Sequence, residues 1–505
     1  MAIAVIIIYT LALFLILLYS LVQLHLLLQC WRQQWSQRGA KKKAAPAALS
    51  EHPFVTIQLP VYNERYVVER LIDTVAAFDY PRDRFEIQVL DDSTDDSAQI
   101  AAKRVEETRR KGVQIQHIRR ENRNGFKAGA LQEGLKTAQG EFIAIFDADF
   151  LPRGDFLLKT LPYFRDPEVG IVQTRWGHIN QDYSLLTRLQ AFALDAHFAV
   201  EQQGRSLGGF FLNFNGSAGI WRRSAIEDAG GWEGDTLTED LDLSFRAQLK
   251  GWKFAFVGDH ESPAELPVSM DAIRSQQFRW CKGPAENVRK NFWAVFRSEL
   301  PLPIKIHACF HLLNSSVFVC LLVSTLLSIP LLIVQIQHPE LNPVFRYSSV
   351  FILSMVCVTL FYWSSRRRSE RSFLRQAVGF ALTYPLFLCI TMGLSLHNGI
   401  AVLEGYIGKK TPFIRTPKFN IRDLKENWDR NAYISGRISA YTLIEGLLAL
   451  YFLGGAAMAF IYHYYALLPV HLMLVLGYGM IFFFSIRHAL QAHALSRSLP
   501  APARG

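Results

Sequence analysis

From Ala2 to Leu28 the sequence lacks any charged side chain. An uncharged run of that length can cross a hydrocarbon core of roughly 30 Å. The basic residues that precede a secretory signal core are also missing, and the run is about twice as long as such a core, which argues against a cleaved leader. Cysteine is scarce as well. Cys30, Cys281, Cys309, Cys320, Cys357 and Cys389 form no C-x-x-C pair. Neither a disulfide framework nor a zinc site is expected from them. There is no internal repeat, and the only biased stretch is a short Ala/Pro/Arg tail.

What is present divides in two. A chain of 505 residues exceeds one core, so at least two folding units are expected, one aqueous and one lipidic. The net charge of +10 would suit nucleic acid, but the basic residues cluster just outside apolar runs. That is the pattern of the positive-inside rule, and no nucleic acid partner is expected. Arg32, Arg38 and Lys41, Lys42 and Lys43 follow the first apolar segment, which places the next domain in the cytoplasm.

Between Ser50 and about Phe296, short β-rich runs alternate with amphipathic stretches, the pattern of a sheet layered with helices. Strands are expected over 54–59, 85–90, 113–118, 142–146 and 169–174. Five further apolar runs follow, over 307–336, 347–363, 378–392, 442–462 and 467–486. Arg366, Arg367, Arg368, Arg371 and Arg375 precede the 378–392 run, and Lys409, Lys410, Arg415 and Lys418 follow it. Both flanks favour the cytoplasm, so this run is expected to be interfacial or re-entrant, leaving five spans, with six full crossings as the alternative. The expected organisation is an N-terminal membrane helix at 1–30, a basic linker at 31–50 and a catalytic domain at 51–300. A membrane region at 301–490 with a cytoplasmic loop at 397–435 follows, then a tail at 491–505.

Chemistry concentrates where strands end, the position at which open α/β sheets bind ligands. Pro60-Val61-Tyr62-Asn63-Glu64 and Asp91-Asp92-Ser93-Thr94-Asp95 follow the first two strands. The second could equally be an Asx-turn or helix cap. Asp147 and Asp149 flank Ala148 after the buried fourth strand, and two carboxylates so spaced can face one hard cation such as Mg²⁺ or Mn²⁺. Thr238-Glu239-Asp240 precedes a helical pattern and could be a cap with acids complementing the dipole. Gln276-Gln277-Phe278-Arg279-Trp280 could be an interfacial helix with its tryptophan at lipid headgroups.

The order and separation of these stretches resemble the membrane-embedded glycosyltransferases of family 2, which include cellulose synthase. The wording QVLDDSTD, FNGSAGIWRR and QQFRWCKGPAEN is similar to the cellulose-synthase-like mannan and glucan synthases of the A and C groups. The resemblance implies an α/β GT-A-type, Rossmann-like cytoplasmic domain inserted between transmembrane helices, in a bacterial inner membrane or a Golgi-type membrane. It implies inverting transfer of a hexose from GDP-mannose or UDP-glucose to a β-1,4-linked polysaccharide, with secretion through the chain's own helices. Pro60, Tyr62, Glu64, Asp91, Asp92, Lys127, Asp147, Gln276 and Arg279 would bind the donor, and Asp147 and Asp149 a Mg²⁺ or Mn²⁺ ion. Asp240, beside Glu239, would be the general base. Trp280 and the stretch Phe214-Asn215-Gly216-Ser217 would meet the acceptor.

Phe413-Ile414-Arg415-Thr416-Pro417-Lys418 resembles the FxVTxK gating loop, with Phe413, Thr416 and Lys418 matching and Arg415 standing where the pattern has valine. A basic loop drawn to anionic lipid is the alternative. Arg367 to Arg371 satisfies RxxxR without a downstream partner domain, so cyclic-di-GMP control is not expected. A competing reading is single-sugar transfer to a membrane lipid, as in ceramide glucosyltransferases. A non-enzymatic transporter or receptor would need none of these acidic motifs.

Overall fold

The computed structural model describes residues 2–36, 46, 49, 51–366, 372–421 and 438–498. Arg38, Lys41, Lys42, Lys43, Arg367, Arg368, Arg371 and parts of the expected linker, cytoplasmic loop and tail lie outside them.

Seven strands form one mixed sheet: β1 (Val55–Val61), β2 (Phe85–Asp91), β3 (Ile115–Arg119), β4 (Phe142–Ile145), β5 (Val169–His178), β6 (Gly219–Arg222) and β7 (Lys253–Ala264). Their order is β3-β2-β1-β4-β6-β5-β7. β1 pairs in parallel with both β2 and β4, whereas β6 is antiparallel to β4 and β5. The five strands expected from sequence are all present, with β5 running on to His178. β6 and β7 went unanticipated for separate reasons. The first is a four-residue strand, and the second carries glycine, charge and a register shift against β5 that break its alternation.

Side chains of β4 fill cores on both faces of the sheet, and the apolar ones of β1 fill one of them. Ile57 and Ala144 pack into the cluster holding Val68, Leu71 and Phe85, while Ile143 and Ile145 pack with Leu131, Trp221 and Leu243. Burial on both faces explains the unbroken apolar wording of β4. From β1 the chain proceeds to β2 and β3 on one side and then returns to β4 on the other. That reversal opens a crevice at the carboxyl ends of β1 and β4.

Among the described residues, six helices are long and apolar enough to cross a membrane: Ala2–Ser36, Asn314–Gln337, Pro339–Ser364, Phe373–Gly393, Ala440–Ile461 and Leu468–Gln491. By length and composition the Phe373–Gly393 helix thus stands with the crossing helices. Phe373 and Phe380 pack on Trp363, and Gly393 meets Gly477 toward the middle of the Leu468–Gln491 segment. The Ser395–Ile407 helix then returns to the catalytic side, where Gly405 sits against Ala285 and Lys282. A buried Arg274–Glu445 ion pair ties the Met270–Arg297 helix to the Ala440–Ile461 helix.

Candidate active site

The crevice at the ends of β1, β2 and β4 holds a cavity of about 200 Å³. Its charged walls come from strand-end loops and helices, and several of these side chains are held by a partner of opposite sign. Asp92 is bound by Arg120, which also donates to the carbonyls of Asn124 and Phe126 and so fastens the end of β2 to the turn before Lys127. Tyr62 lies under the Arg123 guanidinium, 3.3 Å from the ring centroid. The Lys127 ammonium is 2.5 Å from Asp147 and donates to the Gly216 carbonyl at 2.7 Å, joining the acidic turn to the glycine-containing loop. Lys418 pairs with Asp149, and Arg415 with Glu64 at 3.1 Å. Burial pushes Glu64 up to about 8 even against these cations.

The stretch 413–418 lies over this pocket. Arg279 donates to the Ile414 carbonyl and, at 2.9 Å, to the Thr416 hydroxyl, while Phe413 stacks on Phe126 with centroids 5.8 Å apart. Pro60, Tyr62, Glu64, Asp92, Lys127, Asp147, Asp149, Gln276 and Arg279 all line the cavity, as do Phe413, Thr416 and Lys418.

Glu239 and Asp240 open the helix Glu239–Leu249. The capping alternative for this motif is not realised, because the Thr238 hydroxyl accepts from Asn287 instead of from its own helix. Burial raises Asp240 well above the ordinary carboxylate range, and the neighbouring Glu239 charge adds to it while Lys127 opposes. Gly216 permits this arrangement. Its φ is +80°, and a Cβ there would stand 3.1 Å from the Asp240 carboxylate.

A second cavity of about 390 Å³ adjoins the first. The two share Trp176, Asn215, Thr238, Asp240, Gln276 and Trp280 as a common wall. From there the larger cavity reaches Phe318, Phe387 and Ile390, on helices of the membrane set, and Leu394, just after the Phe373–Gly393 helix.

Three sequence assignments need correction. Asp91 contributes no wall to the pocket, because its carboxylate is buried and engaged by His117 at 2.8 Å and by the Ser93 N–H. Burial alone would raise it, yet those hydrogen bonds hold it below the usual range. It shapes the turn. Phe214 cannot meet a sugar: its ring is fully buried, edge-on to Trp221 at 5.7 Å. Ser217 is likewise enclosed, and its hydroxyl accepts from the Asp147 N–H at 2.9 Å, which positions the acidic turn. Only Asn215 and Gly216 of that stretch line a cavity.

Sequence reasoning missed Arg123, Arg120 and Trp176. The arginines could have been found as cations immediately preceding Lys127. Trp176 lies on β5 beyond the point where that strand was expected to stop.

A separate carboxylate group, Glu233, Asp235 and Asp242, could chelate a cation by proximity. The Lys290 ammonium bridges all three at 2.6, 2.8 and 3.0 Å, and none of them lines either cavity. Asp147 and Asp149, by contrast, both line the smaller cavity, although each also pairs with an ammonium, from Lys127 and Lys418.

Residues 52–283 match the family described as glycosyltransferase like family 2. The chain is 44% identical over 281 residues to the probable glucomannan 4-beta-mannosyltransferase 4 of Oryza sativa subsp. japonica, covering 55% of this chain and 51% of that protein. With glucomannan 4-beta-mannosyltransferase 9 of Arabidopsis thaliana it shares 41% over 313 residues, 61% of this chain and 58% of the relative. It therefore spans between half and three fifths of the length of these relatives. A mannosyltransferase from Pyrobaculum calidifontis, solved with GDP-Man and Mn²⁺, shares the fold at a TM-score of 0.52 and 20% identity, over 81% of this chain and 100% of that one. Residues 52–283 of the chain are thus similar to the family 2 glycosyltransferases.

Proposed function

We propose that this chain transfers a hexose, with inversion, from a nucleotide sugar to a growing β-1,4-linked glycan. One observation carries the reading: Asp240 and Trp280 stand in the wall between a small charged pocket and a larger cavity that runs toward membrane helices. A carboxylate there has access to both reactants. A raised basicity suits it to take the proton of an acceptor hydroxyl.

In the proposed step, the acceptor oxygen loses its proton to Asp240 and attacks the anomeric carbon. The bond from that carbon to the diphosphate oxygen breaks, and the diphosphate leaves with the electron pair. Arg279 and Lys127 line the pocket and supply positive charge for the departing group. Tyr62 and Arg123, stacked together, offer a flat face for the nucleotide base. Asp147 and Asp149 would hold a Mg²⁺ or Mn²⁺ ion, whose chemistry when bound is to neutralise diphosphate charge. The indole of Trp280 would stack on the terminal sugar of the acceptor, a contact that a growing chain can re-form after each addition.

The donor is proposed to be GDP-mannose, with UDP-glucose as the second candidate. Two lines support mannose: the relatives are named glucomannan 4-beta-mannosyltransferases, and the structural neighbour was solved with GDP-Man. The catalytic domain is placed in the cytoplasm, with residues 373–407 as a re-entrant hairpin that brings the 413–418 loop back to the donor pocket. Cysteine labelling on intact cells tests this: Arg32→Cys and Lys410→Cys should both resist an impermeant reagent, and labelling of position 410 alone would mean that the hairpin crosses.

The activity test supplies labelled GDP-mannose or UDP-glucose to the chain in lipid nanodiscs. Product that resists organic extraction and yields to β-1,4-mannanase or cellulase supports the proposal. A single glycolipid that extracts fully, with no polymer from either donor, overturns it in favour of lipid glycosylation.

A further inference from the structure

Between the helices Leu185–Ala196 and Gln203–Gly208 the chain makes one π-helical turn, His197–Gln202. Such turns are rare and occur frequently at functional sites. This one faces the asparagine of the acceptor wall. His197 Nε2 lies 3.0 Å from Asn215 Nδ2, and His197 Nδ1 lies 2.9 Å from Glu201. Glu201 in turn accepts from Arg205 at 3.0 Å. Gln202 Nε2 donates to Asn215 Oδ1 at 2.6 Å and to the Asn213 carbonyl at 2.9 Å.

These contacts settle which way the Asn215 amide points. Because Gln202 supplies a donor, the oxygen of Asn215 faces it and the nitrogen faces His197. His197 Nε2 must then accept, which puts the ring proton on Nδ1, where Glu201 accepts it. Without such a frame an asparagine can turn its amide over and exchange donor for acceptor. Among the described residues, Asn215 keeps one N–H and one oxygen lone pair without a protein partner, and it lines both cavities. A fixed donor beside a fixed acceptor matches two neighbouring hydroxyls of a hexopyranose.

We propose that the π turn is a clamp that presents the Asn215 amide to vicinal hydroxyls on the terminal sugar of the acceptor. His197 and Gln202 are positioning residues, and Glu201 with Arg205 holds His197 in the required tautomer. The inference rests on the reading of the larger cavity as the acceptor side.

The test uses the full chain in nanodiscs, a hexose oligosaccharide of fixed length and, in parallel, a glycolipid as acceptors. His197→Phe keeps a ring but removes the acceptor nitrogen. It should raise the acceptor KM roughly tenfold while the donor KM moves less than about twofold, in line with the loss of one or two oriented hydrogen bonds. His197→Gln can accept from Asn215 and donate to Glu201, so it should recover most of that affinity. Because the two residues act as one unit, His197→Phe with Asn215→Ala should be no worse than Asn215→Ala alone. Donor and acceptor KM rising together, failure of the glutamine to rescue, or losses that multiply in the double variant would each overturn the clamp. If only the glycolipid is glycosylated, the polysaccharide reading fails, and the clamp is judged by the same comparison of KM values on the lipid.

Discussion

The two cavities are built by different means. The donor pocket is small, and its charges come in short-range pairs: Asp92 with Arg120, Asp147 with Lys127, Asp149 with Lys418 and Glu64 with Arg415. The cavity proposed for the acceptor is larger and mainly apolar, and most of its wall comes from helices between Leu186 and Asn398 along the chain. Charged chemistry on strand-end loops needs a few residues at fixed spacing, whereas an apolar passage needs only surfaces of the right shape. Loss of a pocket residue should therefore damage donor chemistry specifically, and loss of a cavity residue should damage elongation.

The largest expected effect falls on the shared wall. Asp240→Asn should lower sugar transfer by about 10²–10⁴-fold while donor affinity stays within a few-fold, as for a general base that acts only in the transition state. Radiolabelled transfer measured beside donor binding checks this, and equal loss of both would move Asp240 into a binding role. On the donor side, Asp149→Asn and EDTA should each weaken nucleotide-sugar binding by about tenfold or more, read by calorimetry. Donor affinity insensitive to both would remove the metal from these carboxylates.

On the acceptor side, Trp280→Ala should cut polymer formation by about tenfold relative to donor hydrolysis, consistent with the loss of one stacking contact. Equal losses in polymer and free nucleotide diphosphate would erase the distinction between the cavities. Phe214→Ala sharpens the comparison from outside both. It should destabilise the domain by about 3–5 kcal/mol in denaturation without altering the ratio of acceptor to donor KM. The smallest effect concerns pH. Asp240 must be ionised to act, and burial raises its folded-state pKa, so turnover should fall with acidity at a pH above the ordinary carboxylate range. An acid limb at the usual aspartate value would contradict the burial argument.

This difference in construction also explains what could be read from the sequence. Asp92, Asp147, Asp149 and Asp240 could be singled out because each follows a strand or opens a helix, whereas Arg279 and Trp280, inside the Met270–Arg297 helix, were singled out by motif wording alone. The parallel core was legible because β1 and β4 are buried on both faces. Phe214 was misassigned because motif position does not say which way a side chain points, and here it points between Trp221 and Trp232. His197 and Gln202 were not found at all, since their partner Asn215 is brought to them by tertiary packing and no local spacing announces a π turn. Basic residues on both flanks of the 378–392 run led to the expectation of an interfacial or re-entrant path, whereas by length and composition the Phe373–Gly393 helix stands with the crossing helices. The contacts of Gly393 with Gly477 and of Gly405 with Ala285 and Lys282 became visible only in three dimensions.

The central claim is that Asp240 and Trp280 separate a donor pocket from an acceptor cavity. The most direct test is a cryo-electron microscopy structure of the chain with Mn²⁺, a nucleoside diphosphate and a β-1,4-linked oligosaccharide. The account predicts the nucleotide between Tyr62 and Arg279, and the glycan in the larger cavity with its terminal sugar on Trp280 and a hydroxyl toward Asp240. A glycan bound outside that cavity, or a nucleotide on the far side of Asp240, would contradict it.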